Sequence, residues 1–259
     1  MSNEELSCAI RAALAGGAVL IKYSNRIQKI KYKGVINLVT EADHLSQKII
    51  IGLLKKDFPD YGIISEENFS ENITSTNKWI IDPLDGTTNY AHNFPIYSVA
   101  IGLEVDKRIR LGVVYHPILK ELFYGVEGHG SYLNNCRIFV SKTKTLNKSL
   151  LATGFPYDKH TSAQDNIANF ARVAKRVQGI RRGGAAALDF AYVAAGRLDG
   201  FWELKLSSWD TAAGVLLVAE AGGAVSRIDG SPFHPGEGDV VATNGVIHDD
   251  LRALLRVEG

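Results

Sequence analysis

The chain has 259 residues, of which 46% are hydrophobic and 22% charged, as is usual for a soluble globular protein with a sizeable core. Its formal net charge of +1 argues against bulk attraction to nucleic acid or to a membrane surface. The two cysteines, Cys8 and Cys136, match no metal-ligand spacing and are typical of free thiols in a reducing compartment, which favours a cytoplasmic location.

The N-terminal segment predicts a helix over about residues 3–24. Ser2 and Glu5 have the spacing of a capping box, and apolar residues then recur near helical intervals. Glu4 and Glu5 precede the apolar stretch and Arg11 interrupts it, so it lacks the organisation of a signal peptide. The sequence has no run of about 18 apolar residues, and we therefore expect no membrane-spanning helix.

A second helix is predicted from near Thr40 to just before Pro59. One side of this helix is expected to carry the apolar residues Leu45, Ile49, Leu53 and Leu54. Between the two helices, residues 29–37 form a basic segment broken by a glycine, which predicts a mobile loop.

Short strands are predicted in the segments YGIISEEN and KWIID, and an antiparallel meander over 98–140. The remainder alternates between helical and extended patterns, which indicates helical layers stacked on sheets. The helices are predicted at 165–178, 186–200, 208–223 and 247–257, with Gly222 as a C-terminal stop, and the strands at 150–155, 223–228 and 240–244. A seam near residue 145 divides the chain into halves 1–145 and 146–259, expected to pack as one compact unit.

The stretch WIIDPLDGTTNY places Asp82 and Asp85 three residues apart, directly after an apolar run. Gly86 permits unusual backbone torsions, and the N–H groups that follow it form a potential anion site. Two like charges about 4 Å apart cost roughly 4 kcal/mol at an effective dielectric constant of about 20, so such carboxylates need a cation to stay ionised together. Oxygen ligands beside a phosphate favour Mg²⁺ over Ca²⁺, which suggests magnesium-assisted phosphate chemistry.

Four other acidic residues also lie at the ends of predicted strands or at the starts of predicted helices. Glu66 and Glu67 close a strand, Asp210 opens a helix, and Asp43 lies in the first turn of the second helix. Taken singly, Asp43 and Asp210 are better explained by favourable interaction with helix dipoles than by a site, and the two glutamates are also consistent with a solvated strand end.

The type of phosphate chemistry is narrowed by what the sequence lacks. It contains no G-x-x-x-x-G-K-[ST] phosphate loop, and its seven histidines never have the H-x-x-x-H spacing of zinc proteases. Phosphatases that form an aspartyl-phosphate carry D-x-D-G-T, whereas Asp82 and Asp85 are three apart. This spacing favours attack by a metal-activated water.

Three segments, SEE (65–67), WIIDPLDGTTNY (79–90) and WDTAAGVLLVAEAGG (209–223), resemble the signature segments of the inositol monophosphatase family. The likeness extends over nearly the whole chain, from NLVTEAD (37–43) through the segment 181–203. The family belongs to the lithium-sensitive, Mg²⁺-dependent phosphatases that include fructose-1,6-bisphosphatases. The resemblance implies a layered α-β-α-β-α sandwich, of mixed α+β and α/β character, and a homodimer.

The resemblance also implies two or three Mg²⁺ ions and their ligands. The first ion would be held by Glu66, Asp82 and the backbone carbonyl of Leu84, and the second by Asp82, Asp85 and Asp210. A third, weaker ion would lie beside Glu66.

In the implied mechanism, Thr87 orients the attacking water and Asp43 and Glu67 assist it. The phosphate would rest on the N–H groups of Gly86 and Thr87, where charge builds in the transition state.

The resemblance places the alcohol part of the substrate against Gly184, Ala186, Glu203 and, more loosely, Arg181, next to Asp85 and Asp210. Tight helix packing explains the Gly-Ala run equally well, and a surface charge explains Glu203. The lysines Lys31 and Lys33 match the family only loosely, as residues that could swing over the phosphate.

The expected function is hydrolysis of myo-inositol monophosphates, small phosphorylated polyols. Related phosphatases cleave fructose 1,6-bisphosphate, histidinol phosphate or adenosine 3',5'-bisphosphate, and some bacterial members contact the transcription machinery, so these remain alternatives. The five cations between 172 and 182 are better explained by a solvated helix face than by a nucleic-acid site.

Overall fold

The computed structural model describes residues 3–24, 31–32, 38–39 and 41–256. The helices are α1 (Asn3–Tyr23), α2 (Glu41–Asp57), α3 (Thr87–Ala91), α4 (Ile167–Ala174), α5 (Ala186–Ala194), α6 (Ser208–Glu220) and α7 (His248–Arg252). The strands are β1 (Lys31–Tyr32), β2 (Leu38–Val39), β3 (Gly62–Ser65), β4 (Phe69–Glu71), β5 (Asn77–Asp85), β6 (Ser98–Val105), β7 (Arg108–His116), β8 (Glu121–Val126), β9 (Gly130–Leu133), β10 (Cys136–Ile138), β11 (Leu150–Thr153), β12 (Gly179–Arg181), β13 (Gly200–Leu206), β14 (Ala224–Ser226) and β15 (Gly238–Thr243).

Two large sheets organise these elements. The first has eight strands in the order β10-β9-β8-β7-β6-β5-β3-β4, and all neighbours are antiparallel except β3 and β5. The second has five strands in the order β12-β11-β13-β15-β14, with β11 parallel to both of its neighbours. The short strands β1 and β2 form a separate antiparallel pair.

The helices form three layers around these sheets. Helices α1 and α2 pack on each other and on β5, β6 and β7, and α5 and α6 lie between the two sheets. On the outer face of the five-stranded sheet, Val173 of α4 and Leu251 of α7 join one apolar cluster with Trp202 of β13. The resulting α-β-α-β-α sandwich confirms the predicted fold class.

The central layer depends on a close approach of α6 to the large sheet. A β-carbon on Gly112 of β7 would lie 2.5 Å from the carbonyl oxygen of Ala213, and one on Gly102 of β6 would lie 2.8 Å from the Cβ of Ala212. Small residues on both surfaces therefore let the helix rest directly on the strands. The N-terminus of α6, which carries Asp210, is positioned by this contact.

Several predicted elements are confirmed with changed bounds. The antiparallel meander, the helix that ends before Gly222 and the strands at 224–226 and 238–243 are all present, and Gly222 has the left-handed φ of 88°. The predicted helix 165–178 shortens to α4, and the closing helix shortens to α7. Ser2 of the predicted capping box, Thr40, Lys33 and the side chain of Lys31 lie outside the described residues.

Two predictions were wrong. On α2, the predicted apolar side is confirmed at Leu54, which is buried, but it is wrong at Ile49, which is 41% exposed while Ile50 and Ile51 are buried. The buried face of this helix therefore runs about one residue away from the predicted stripe, because packing on α1 and β5 selects it. The predicted helix 186–200 ends at Ala194, and the unpredicted strand β13 begins at Gly200, where a central sheet position overrides a weak local pattern.

Helix α1 is long and apolar, and its packing distinguishes a core helix from a membrane span. By length and composition, Glu4–Tyr23 could cross a bilayer, and 44% of that window is buried inside the fold. Cys8, Ala9, Ala12 and Leu20 belong to the core shared with α2 and the large sheet. The helix therefore has the packing of a core helix.

The predicted division at residue 145 stays a prediction. The eight-stranded sheet ends at Ile138 and the five-stranded sheet begins at Leu150, with a 3-10 turn at Leu146–Lys148 between them.

Candidate active site

A β-bulge brings the two aspartates of the DPLD motif to one side of β5. Asp82 is opposite Ala100 of β6 and Asp85 is opposite Ser98, so β5 has one extra residue between them. In a regular strand, residues three apart point to opposite faces, and one extra residue reverses that relation. Both aspartates accordingly border the same cleft.

The neighbouring strand β3 supplies a third carboxylate. Strands β3 and β5 are parallel, so their C-terminal ends meet at one edge of the sheet. Glu66 follows β3 directly, and its backbone N–H donates to the carbonyl of Ile81, 3.2 Å away. Its side chain thereby borders the cleft beside Asp82.

The fourth carboxylate, Asp210, comes from the distant helix α6. Its Oδ2 accepts the backbone N–H of Ser207 at 2.7 Å, in a reciprocal capping box at the start of the helix. Asp210 therefore interacts favourably with the N-terminus of the helix, as its position suggested. The same residue also borders the cleft.

Backbone donors hold Asp82 and Asp85. Oδ1 of Asp82 accepts the N–H of Leu84 at 3.0 Å. The two carboxylate oxygens of Asp85 accept the N–H groups of Ala186 and Ala187, at 3.0 Å and 2.9 Å, from the first turn of α5. Ser98 donates its hydroxyl to Asp85 as well, at 3.1 Å.

Burial and mutual repulsion raise the pKa values of these acids. Burial raises the pKa of Asp85 to about 6, although hydrogen bonds from Ala187 and Ser98 oppose the shift. Burial, and then the charges of Glu66 and Asp85, raise the pKa of Asp82 well above its usual range. The pKa of Asp210 is raised well above its usual range by burial and then by Glu66. A group of acids in this state takes up a cation readily, because a cation favours all the ionised forms at once.

These carboxylates suit a hard metal ion by donor chemistry, since they offer only oxygen. Among the described residues, no three His, Cys, Asp or Glu side chains form a ready metal cluster. The carboxylate oxygens of Asp82, Asp85 and Asp210 accept backbone N–H groups.

Thr87 connects the motif to α2. Its hydroxyl lies 3.2 Å from Oδ1 of Asp43 and 3.1 Å from the carbonyl oxygen of Leu84, and it can donate to either. Asp43 is fully buried in the first turn of α2. Glu67 is also buried, and Gln47 of α2 lies 3.5 Å from its carbonyl oxygen.

Gly86 allows the motif to approach the C-terminal half of the chain. It has a φ of 93°, and a β-carbon there would lie 3.0 Å from the carbonyl oxygen of Ile96 and 3.2 Å from that of Gly184. Asn89 of α3 reinforces the approach by donating to the carbonyls of Ile96 and Gly183, at 2.7 Å and 2.8 Å. The end of β5 and the segment before α5 are therefore held together.

Glu203 of β13 forms the opposite wall. Burial raises its pKa to about 8, and the nearby Arg182 lowers it in opposition. A β-carbon on Gly154 would overlap the Glu203 carboxylate, so these two residues are in direct contact. The position of Gly154 is set by Asn166, which donates to its carbonyl at 2.7 Å and accepts from the indole of Trp202 at 2.9 Å.

The cleft has a volume of about 310 Å³. Ten of the residues singled out in the sequence border it: Glu66, Asp82, Leu84, Asp85, Gly86, Thr87, Gly184, Ala186, Glu203 and Asp210. The other three, Asp43, Glu67 and Arg181, are not among its lining residues.

The cleft also has lining residues that sequence reasoning missed. Tyr157, Asp158 and Lys205 follow no local motif, and only the fold brings them here. Arg182 borders the cleft in place of its neighbour Arg181, whose guanidinium donates to the carbonyl of Ile180 at 3.2 Å. The sequence shows two adjacent arginines, but it does not show which of them borders the cleft.

Comparisons with known proteins identify the class. The model of the inositol monophosphatase family matches residues 2–258. An inositol-1-monophosphatase from Synechocystis is 44% identical over 96% of this chain and 88% of its own length. The Nus factor SuhB of Haemophilus influenzae is 41% identical over 98% of this chain and 96% of its own length. The solved structure of an inositol monophosphatase from Anabaena superposes with a TM-score of 0.89, at 43% identity, over 97% of this chain and 94% of the other.

Fold and site thus define a phosphatase, a hydrolase of phosphoric monoesters. The chain belongs to the inositol monophosphatase family, which confirms the resemblance stated from the sequence.

Proposed function

We propose that this protein hydrolyses myo-inositol monophosphates to inositol and phosphate with the help of Mg²⁺. The observation that carries the proposal is the convergence of Glu66, Asp82, Asp85 and Asp210 on one cleft that also contains Glu203. Acids at one end and a hydroxyl acceptor at the other fit the two parts of a phosphorylated polyol.

Two or three Mg²⁺ ions are proposed, with Glu66, Asp82, the carbonyl of Leu84, Asp85 and Asp210 as their ligands. When bound, Mg²⁺ would neutralise the carboxylates, lower the pKa of water and polarise the phosphoryl oxygens. Support comes from the all-oxygen donor set and from pKa values raised by neighbouring acids. Sensitivity to Li⁺ belongs to the same proposal.

The chain's own groups would orient the attacking water and bind the phosphate. Thr87 would orient the attacking water, and its hydrogen bond to the buried Asp43 supports that role. Glu67 would assist Thr87 in orienting the attacking water. The N–H groups of Gly86 and Thr87 would receive the phosphate, where negative charge grows in the transition state.

The polyol would lie between Gly184, Ala186 and Glu203, with Arg181 as a more distant residue. Glu203 can accept hydrogen bonds from hydroxyls when ionised, and donate one when protonated. The contact with Gly154 supports a fixed position for this carboxylate.

The proposal is tested by phosphate release from inositol 1-phosphate in the presence of Mg²⁺. We expect release that stops on addition of EDTA, recovers with excess Mg²⁺ and is suppressed by Li⁺. A panel of fructose 1,6-bisphosphate, histidinol phosphate and adenosine 3',5'-bisphosphate separates the specificities. Hydrolysis of one of these, with none of inositol 1-phosphate, would replace the proposed substrate.

A second candidate is a transcription-associated role. It is favoured by the similarity to relatives such as the Nus factor SuhB of Haemophilus influenzae, at 41% identity. A pull-down from a bacterial extract with wild type and Asp85→Asn tests it. Retention of RNA polymerase subunits by both proteins would support a role independent of catalysis.

Assembly and location complete the proposal. We infer a homodimer from the family, to be checked by light scattering. The cytoplasm is supported by two cysteines without a disulfide, Cys8 buried and Cys136 exposed.

A further inference from the structure

Two cations border the cleft among the described residues, and their surroundings differ. Lys205 is engaged: its Nζ lies 2.6 Å from Oδ2 of Asp158 and 2.7 Å from the hydroxyl of Ser162. Within the described residues, Arg182 has no hydrogen bond and no ion pair within 4 Å. Its guanidinium therefore has donors available for a ligand.

The position of this guanidinium is defined by Gly184. A β-carbon on Gly184 would overlap Nη1 of Arg182, so the guanidinium rests directly on that glycine. The carbonyl of Gly184 in turn lies against Gly86 of the aspartate motif. Arg182 thus borders the cleft close to the predicted phosphate end.

The same guanidinium acts on two acids on the polyol side. It lowers the pKa of Glu203, against the effect of burial. It also lowers the pKa of Asp189, a buried acid of α5. Burial and the charge of Glu203 act in the opposite direction and raise the pKa of Asp189 well above its usual range. Arg182 and Glu203, which interact electrostatically, therefore offer the cleft a donor and an acceptor.

We propose that Arg182 is a specificity-determining residue, which donates hydrogen bonds to one hydroxyl of the leaving group while Glu203 accepts from a neighbouring hydroxyl. The inference rests on the proposed function and narrows its substrate class. A donor beside an acceptor matches two adjacent hydroxyls, each of which can donate and accept.

The test compares Arg182→Ala with Arg176→Ala, which removes the same charge from an exposed position outside the cleft. Both are assayed with Mg²⁺ on inositol 1-phosphate, on fructose 1,6-bisphosphate and on p-nitrophenyl phosphate, whose leaving group has no adjacent hydroxyls. For Arg182→Ala we expect KM for inositol 1-phosphate to rise about tenfold, as for loss of a charged hydrogen bond. Its kcat, its KM for p-nitrophenyl phosphate and its Tm stay near wild type, Arg176→Ala behaves as wild type, and Arg182→Lys recovers part of the loss.

Other outcomes overturn the inference. An equal rise in KM for both esters would assign Arg182 to the phosphate, and an unchanged KM for both would remove it from the site. A loss confined to fructose 1,6-bisphosphate would make it a receptor for a second phosphate. If wild type releases phosphate from p-nitrophenyl phosphate but not from inositol 1-phosphate, the proposed function fails and this inference fails with it.

Discussion

The carboxylate of Glu203 packs against the backbone of Gly154, so closely that a β-carbon at position 154 would overlap both of its oxygens. Gly154 directly follows β11, and Glu203 lies within the parallel neighbour β13, one residue after Trp202, which pairs with Thr153. Asn166 holds Gly154 in place through the carbonyl oxygen. The absence of a side chain at position 154 therefore determines where the acidic wall of the cleft lies.

Gly154→Ala should displace Glu203 without unfolding the protein. The overlapping atoms are the far end of a flexible side chain, which can rotate away at small cost. We expect KM for inositol 1-phosphate to rise about as much as in Glu203→Gln, while Tm changes little. Steady-state kinetics and thermal melts of the two variants check this, and an unchanged KM in Gly154→Ala would show that Glu203 does not contact the polyol.

Asp85→Asn should abolish activity while the fold persists. The substitution removes a proposed ligand charge, and we expect kcat/KM to fall at least about a hundredfold. An amide retains one acceptor for the N–H groups of Ala186 and Ala187, and loss of a repelling charge offsets part of the lost hydrogen bonding.

The matched control for this variant is Asp158→Asn. That residue borders the same cleft, but it pairs with Lys205 rather than with backbone N–H groups of α5. It should retain most of the activity. Hydrolysis by Asp85→Asn at the wild-type rate would contradict the role proposed for Asp85.

Without divalent cations, Asp85 should make the protein less stable as pH rises. Its pKa is raised from 3.8 to about 6, so between these values the folded state binds more protons than the unfolded state. Stability from this group is therefore greatest below its unfolded pKa and falls as pH rises through the window from 3.8 to about 6.

Denaturant unfolding in EDTA, at several pH values from 4 to 7, measures this effect. Other acids titrate in the same range, so the informative quantity is the difference between wild type and Asp85→Asn. The unfolding free energy of wild type relative to the variant should decrease with rising pH. A difference independent of pH would show that Asp85 titrates at its ordinary value.

Mg²⁺ should stabilise the folded protein, most strongly near neutral pH. At a concentration of 100 times Kd, one ion that binds only the folded state adds about 2.7 kcal/mol. Its charge also relieves the repulsion between Asp82 and its acidic neighbours. We expect a rise in Tm on adding Mg²⁺ to EDTA-treated protein, a smaller rise in Asp85→Asn, and a full rise in Arg181→Ala. Identical Tm values with and without Mg²⁺ would refute a metal site in the cleft.

Much of the architecture was predictable from local patterns. The apolar periodicity of α1 and α6, the turn residues of the meander and the stop at Gly222 all act over a few neighbouring residues. The acidic motif was equally visible, because Asp82, Asp85 and Gly86 are adjacent in the chain. The buried face of α2 was misplaced, since Ile49 and Ile50 differ only in which neighbour packs on them.

What the sequence determined by itself is the chemistry available: paired aspartates behind an apolar strand, a glycine after them, and further acids at a strand end and at helix starts. Tertiary structure alone decided which of these groups meet. The bulge in β5 turns Asp82 and Asp85 to one side, and α5 supplies the N–H groups that hold Asp85 from a hundred residues away. The choice of Arg182 over Arg181 and the contact of Gly154 with Glu203 were settled in the same way, because contacts between distant segments depend on packing that no local pattern encodes.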